Sequence, residues 1–102
     1  MPKLTTVYWR DIPAQVVAKE RRESAKILLS ERFAEAIDIA AMRAKLAGTD
    51  AYLEQWRRET VKCGKDLQAA VDSAASDLEK EYDDERLKIL TRNGGLEENS
   101  DS

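Results

Sequence analysis

The sequence predicts an α+β fold, with a small antiparallel sheet, made of an N-terminal β-hairpin and a short third strand, covered on one face by about three helices. Two patterns lead to this class. The first 19 residues are rich in β-branched and aromatic side chains, which are typical of strands. After residue 30, apolar residues recur at spacings of three and four, as they do in helices with one buried side. Strands and helices are thus largely segregated along the chain.

The predicted hairpin occupies the N-terminal fifth of the chain. Residues 4–9 form the first strand, and residues 14–19 resume strand-like chemistry as the second. The turn between them covers residues 11–13, which include a proline. Residues 21–24 form a polar break. Residues 25–29 either extend along the sheet or enter the next helix, and the pattern leaves this choice open.

Two helices are predicted to follow. The first begins after Ser30, which is a good N-cap residue, and ends at Gly48. The second begins at Thr49 and runs to about Arg57, with Trp56 on its apolar side. The two helices therefore meet at a tight corner.

A third strand and a long helix complete the predicted fold. Residues 59–63 alternate polar and apolar side chains, which indicates a short strand. Residues 66–90 keep the apolar spacing of three and four throughout, which predicts one continuous helix. The chain is therefore expected to be a single domain over residues 1–91, followed by a disordered acidic tail over residues 92–102.

The composition removes several classes of chemistry. The chain has 102 residues, no His, one Cys and four Gly. It therefore has no imidazole for acid–base work, no intramolecular disulfide and no glycine-rich phosphate loop. We expect no catalytic residue, no metal site and no cofactor. We also expect a cytoplasmic chain, because no apolar run resembles a leader or a membrane span.

The charge pattern favours a protein as the partner. The net charge is −3, and the basic residues around position 20 are interleaved with Glu20 and Glu23. We therefore expect neither nucleic acid nor a membrane as partner, since phosphate binding needs a basic patch. The acidic stretch over residues 77–85 is predicted to be the solvated side of a helix, which can also meet a basic partner. Self-association stays open.

Two clusters carry the residue types that dominate protein interfaces. One lies at the predicted hairpin tip and the other near the end of the predicted second helix. Alternation along the first strand sends its two adjacent aromatic residues to opposite faces, so both cannot enter one core. The alternative for these residues is core packing of the rings and local turn contacts of the charges. The residues assigned to partner binding are Tyr8, Trp9, Arg10, Asp11, Trp56 and Arg57.

Three segments resemble small bacterial proteins of the virulence factor family. They are the run from Val7 to Val16, the helical residues 30–44 and the residues 50–57. The resemblance covers about residues 4–90. It implies no assigned reaction and no catalytic motif to carry over. Members occur as short chains and as modules fused to helical-repeat proteins, which implies an interaction domain.

Two hypotheses for the function follow. The first is a non-catalytic accessory module that binds a protein partner through the N-terminal hairpin. The alternative rests on the gene neighbourhoods associated with short family members, which imply a small subunit of a folate- or corrinoid-dependent methyl-transfer enzyme. In that case Arg10, Asp11 or Lys65 would help to complete a site on the larger subunit. Co-purification with a flavin- or corrinoid-bearing enzyme would separate the two.

Overall fold

The computed structural model describes residues 1–96, which form four strands and four helices. This is the predicted α+β class, but the sheet has four strands rather than three. The strands are β1 (Lys3–Trp9), β2 (Ile12–Glu20), β3 (Glu23–Leu28) and β4 (Trp56–Lys62). The helices are α1 (Glu31–Arg43), α2 (Asp50–Glu54), α3 (Leu67–Glu81) and α4 (Asp84–Arg92).

The sheet is antiparallel throughout, with the strand order β3-β2-β1-β4. Arg10 and Asp11 alone close the hairpin of β1 and β2, so the turn is shorter than predicted. A second two-residue turn, Arg21 and Arg22, joins β2 to β3. The segment whose place the sequence left open is therefore part of the sheet.

The strand β4 begins earlier than predicted. α2 ends at Glu54, and Trp56 and Arg57 already pair with Trp9 and Tyr8 of β1. The predicted second helix is thus wrong beyond its first turn. The spacing of apolar residues favours a helix locally, but a seven-residue antiparallel ladder with β1 stabilises the strand instead.

The helix α1 begins after Ser30 as predicted, but it ends earlier than predicted. It ends at Arg43, and Lys45 adopts a left-handed conformation (φ 62°) close to this end, well before Gly48. Ser30 precedes the helix but its side chain does not cap it. Instead its hydroxyl and its N–H donate to the carboxylate of Glu79, at 2.9 and 2.8 Å.

The predicted long helix is divided into α3 and α4. The backbone leaves the helix at Tyr82, and Asp83 then caps α4 by accepting a hydrogen bond from a backbone N–H of its first turn. The guanidinium of Arg32 lies at this break and donates to the carbonyl oxygens of Glu79 and Tyr82. Carbonyls at a helix end lack intrahelical partners, so Arg32 satisfies two of them. α4 turns back against α1.

The core lies between the sheet and the helices. α3 packs on β2 and β3, and α1 packs on β2 and α4. Within residues 1–96 no helix is long and apolar enough to cross a membrane. The largest fully buried side chains are Trp9, Ile12, Pro13, Val16, Phe33, Val71 and Leu90.

The beginning of the predicted tail is part of the folded structure. α4 includes Arg92, and Gly94 and Gly95 are buried. Residues 97–102, the remainder of that tail, lie outside the described residues.

Glu79 joins the start of α1 to α3 through charged hydrogen bonds. Burial by itself raises the pKa of Glu79, but the hydrogen bonds from Ser30 and the ion pair with Arg32 (3.1 Å) lower this pKa below its usual 4.5. A carboxyl group whose pKa is lowered by folding stabilises the fold fully above its unfolded pKa. That stability is lost as the pH falls through the folded pKa.

We therefore expect a pH-dependent effect of Glu79→Gln. At pH 7 the variant should lose about 1 kcal/mol of unfolding free energy, because hydrogen bonds to a charged acceptor are replaced by neutral ones. As the pH falls from 4.5 towards 3, the unfolding free energies of the parent and the variant should become equal. Urea unfolding at pH 7, 5 and 3 measures this, with Glu35→Gln, an exposed position on α1, as the control. A difference that stays constant with pH would contradict the assignment.

Candidate partner-binding site

The six residues assigned to partner binding lie together at one end of the sheet, which we call the hairpin end. Here β1 turns into β2 and β4 begins, so Trp9 pairs with Trp56 and Tyr8 pairs with Arg57. The structure thus joins two clusters that are separate in the sequence. The residues differ in how much of each reaches the surface.

Trp9 is a core residue. Its side chain is 0% exposed, and its Nε1 donates a hydrogen bond of 2.9 Å to the carbonyl oxygen of Tyr52. The two rings are 5.5 Å apart between centroids. Only one of the two adjacent aromatic residues enters the core, whereas Tyr8 is half-buried. Trp9 therefore offers no surface to a partner, which corrects its prediction as an anchor.

The segment after α4 closes over Trp9. Gly95 has φ 94°, and a Cβ atom at this position would lie 2.7 Å from Cζ3 of Trp9. The carbonyl oxygen of Gly95 accepts a hydrogen bond from the N–H of Asp11 at 2.8 Å. Only glycine suits both this backbone conformation and the close approach. The sequence analysis missed this contact, since a glycine pair after a helix indicates only that the helix ends.

Arg10 ties the turn to two other segments. Its φ of 55° is unusual for a residue other than glycine and costs roughly 1–2 kcal/mol. Its N–H and its Nε donate to the backbone and side-chain oxygens of Gln55, both at 3.1 Å. Its NH1 group donates to the carbonyl oxygen of Gly94 at 2.9 Å. These bonds offset the backbone strain, so Arg10 positions the hairpin end.

Arg57 is at the centre of the exposed part of the site. Its Nε donates to the carbonyl oxygen of Arg10 at 2.9 Å, and its two NH2 groups contact the carboxylates of Asp11 (3.3 Å) and Glu59. The guanidinium lies 4.4 Å from the centre of the Tyr8 ring. The side chains of Arg57 and Asp11 remain 40% and 32% exposed. We call Tyr8, Asp11 and Arg57 the exposed cluster.

The surroundings fix the charge states in the exposed cluster. Burial, followed by the negative charge of Glu59, raises the pKa of Tyr8 above 10. Burial lowers the pKa of Arg57, but the hydrogen bond and the charge of Glu59 outweigh burial and raise it overall. Tyr8 is therefore a neutral phenol and Arg57 a cation at every physiological pH. Such groups suit recognition rather than proton transfer.

Trp56 lies at the border between the core and the surface. Its ring is half-buried and meets the Tyr52 ring edge to face, with centroids 6.1 Å apart. It lines an apolar groove between α1 and the sheet together with Ala14, Leu28 and Ile37. Among residues 1–96 no group of His, Cys, Asp and Glu side chains has the arrangement of a metal site.

The fold and the hairpin end define a small α+β domain with a partly exposed Tyr-Arg-carboxylate cluster whose groups contact one another. Residues 7–91 match the family model described as "Virulence factor", and the chain belongs to this family. The family predicted from the resemblance is thereby confirmed. No curated protein matches the chain. No solved structure matches it either.

The contact between Gly95 and Trp9 gives a sharp test of the hairpin end. Gly95→Ala should lower the unfolding free energy by about 2 kcal/mol or more, because it combines a disfavoured φ with a steric clash against the core. Gly64→Ala is the matched control, since a Cβ atom at that position would have nothing within 4 Å and its φ is not positive. This control should change stability by less than about 1 kcal/mol. Similar losses in both variants, measured by urea unfolding, would contradict the structure.

Proposed function

We propose that this chain is a non-catalytic accessory module that binds a protein partner through the exposed cluster at its hairpin end. The observation that carries the proposal is the position of the Arg57 guanidinium, which lies over the Tyr8 ring and has three oxygen acceptors. Tyr and Arg are enriched among the residues that dominate binding energy at protein interfaces.

The rigidity of the exposed cluster supports a role in binding. A free arginine side chain loses conformational entropy when a partner immobilises it, at a cost of about 0.5–1.5 kcal/mol. The contacts of Arg57 with Arg10, Asp11 and Glu59 restrict this side chain before any partner arrives. Binding of a partner therefore does not bear the full entropy cost of ordering Arg57, which favours a higher affinity.

The other predicted residues act indirectly in this proposal. Trp9 and Arg10 position the turn that carries Asp11, and the Arg10 carbonyl accepts the hydrogen bond from Arg57. Trp56 contributes the edge of its ring to the neighbouring groove. The residues proposed to contact the partner directly are those of the exposed cluster, Tyr8, Asp11 and Arg57.

The module is proposed to act in the cytoplasm, since its single Cys63 is a free thiol and fits a reducing compartment. The alternative of a small subunit in a folate- or corrinoid-dependent methyl-transfer enzyme stays a prediction. Neither the family match nor the geometry of the hairpin end favours it over another protein partner.

The proposal is tested by comparing captured proteins between two arginine variants. The tagged parent chain, Arg57→Ala and Arg43→Ala are expressed in the native host, and the bound proteins are quantified by mass spectrometry. Arg43 is exposed in the last turn of α1, so both variants lose one surface cation. We expect one stoichiometric partner that the parent and Arg43→Ala retain and that Arg57→Ala loses by more than about tenfold, as for a hot spot worth about 2 kcal/mol.

Circular dichroism and thermal unfolding establish that both variants are folded. Equal retention of the partner by all three proteins would contradict docking through the exposed cluster. Absence of any stoichiometric partner would contradict the proposal that the chain is a binding module.

A further inference from the structure

A second surface is the face of the sheet that residues 1–96 leave uncovered, which we call the open face. The strand register places twelve residues on it in three cross-strand rows, because directly paired residues share a face. The rows are Ser24-Lys19-Lys3-Lys62, Lys26-Val17-Thr5-Thr60 and Leu28-Gln15-Val7-Arg58. Eight of these residues line one shallow groove.

The open face carries five positive charges and no negative charge, although the whole chain has a net charge of −3. Alternation along the strands separates charges that are neighbours in the sequence. Lys19 belongs to the open face, whereas Glu20 lies on the opposite face and pairs there with Glu23. Arg58 and Glu59 divide in the same way. The interleaved charges of the sequence thus become segregated in space.

The open face also has an apolar region beside its cations. Val7 and Val17 are half-exposed, and Leu28 is 66% exposed. Leu28 also lines the apolar groove that contains Ala14 and Trp56, so this groove adjoins the open face. An apolar region bordered by polar and charged side chains is common in protein interfaces. A nucleic-acid backbone would use the cations but not the aliphatic side chains, and single-stranded binding faces usually present aromatic rings for stacking.

We propose that the open face binds an amphipathic, acidic helix of a protein partner. The apolar side of this helix would lie over Leu28, Val7 and Val17, and the carboxylates of the helix would meet the neighbouring cations. A helix suits this position because helices pack on the faces of sheets, as α3 does on the other side. This inference rests on the proposed function as a binding module, but it uses a different surface.

A second copy of this chain is a less suitable occupant. The acidic stretch of α3 and α4 is partly used within the chain: Glu79 binds Ser30 and Arg32, and Asp83 caps α4. Four strands and the five residues per strand that the three rows span give the open face about 14 Å by 17 Å, or roughly 240 Å². This area is well below the roughly 800 Å² per partner of a stable interface, so we expect micromolar affinity.

The test uses a fluorescein-labelled peptide of 14 residues, which spans about 21 Å as a helix. Its leucines are spaced three and four apart on one side, and glutamates occupy both flanks. A scrambled peptide of the same composition and a short DNA duplex are the comparison probes. We expect fluorescence anisotropy at 0.1 M salt to show micromolar binding of the amphipathic peptide and at least tenfold weaker binding of both other probes.

Two matched double variants locate the binding surface. Lys19→Glu with Arg58→Glu reverses two charges on the open face, and Lys80→Glu with Lys88→Glu makes the same change on exposed positions of α3 and α4. The first pair should weaken peptide binding at least tenfold, and the second less than twofold. Leu28→Gln should weaken it about threefold, since it removes an exposed apolar contact without changing the charge.

Several outcomes would overturn the inference. They are equal binding of the scrambled peptide or the duplex, equal loss in both double variants, or no binding of the amphipathic peptide. Dimerisation of the parent that the open-face variant abolishes, measured by sedimentation, would assign the face to a second copy instead. If the peptide fails while Arg57→Ala still loses its cellular partner, only this inference fails. If Arg57→Ala has no effect while the peptide binds, the docking site of the proposed function is wrong.

Discussion

The structure depends on the burial of Trp9 at the turn between β1 and β2. This ring is held by a hydrogen bond to α2 and is covered by Gly95, so it joins the beginning, the middle and the end of the described chain. A domain of about 100 residues has a small core, in which one large buried ring carries much of the packing. Arg10, the next residue, is held in a left-handed conformation by hydrogen bonds to Gln55 and Gly94, which adjoin these covering segments. The rigidity of the neighbouring surface is therefore a consequence of core packing.

Local patterns predicted the elements whose stability is local. The pairing of β1 with β2 was predicted correctly, because the alternation of side chains along a strand is a property of short segments. The errors occur where contacts with residues distant in the sequence determine the secondary structure. β4 replaces a helix because β1 offers a complete ladder. The predicted long helix breaks at Tyr82 where Arg32, fifty residues away, satisfies its final carbonyl groups.

The candidate site was predicted in its residue types but not in its geometry. Tyr8 and Arg57 were identified as interface residues from composition, yet their contact arises only because β4 pairs with β1. Gly94 and Gly95 were assigned to the tail, since no short-range pattern reveals that a segment packs on a ring 86 residues earlier. Charge patterning was similarly misleading. Interleaved Lys and Glu residues indicate a mixed surface on a loop, but on a strand they separate onto two faces.

The strand β4 connects the two proposed surfaces. Arg57 contacts Tyr8 on one face, and Arg58, the next residue, extends the row of Val7 on the other. On these proposals, a partner bound at one surface would leave the other free, and a single chain would then bridge two segments. The two surfaces also differ in physical character. The exposed cluster already pairs its charges internally, whereas the five cations of the open face lie in three rows without carboxylates, and binding there should depend far more strongly on salt. Different salt dependences would therefore identify which surface a given partner uses.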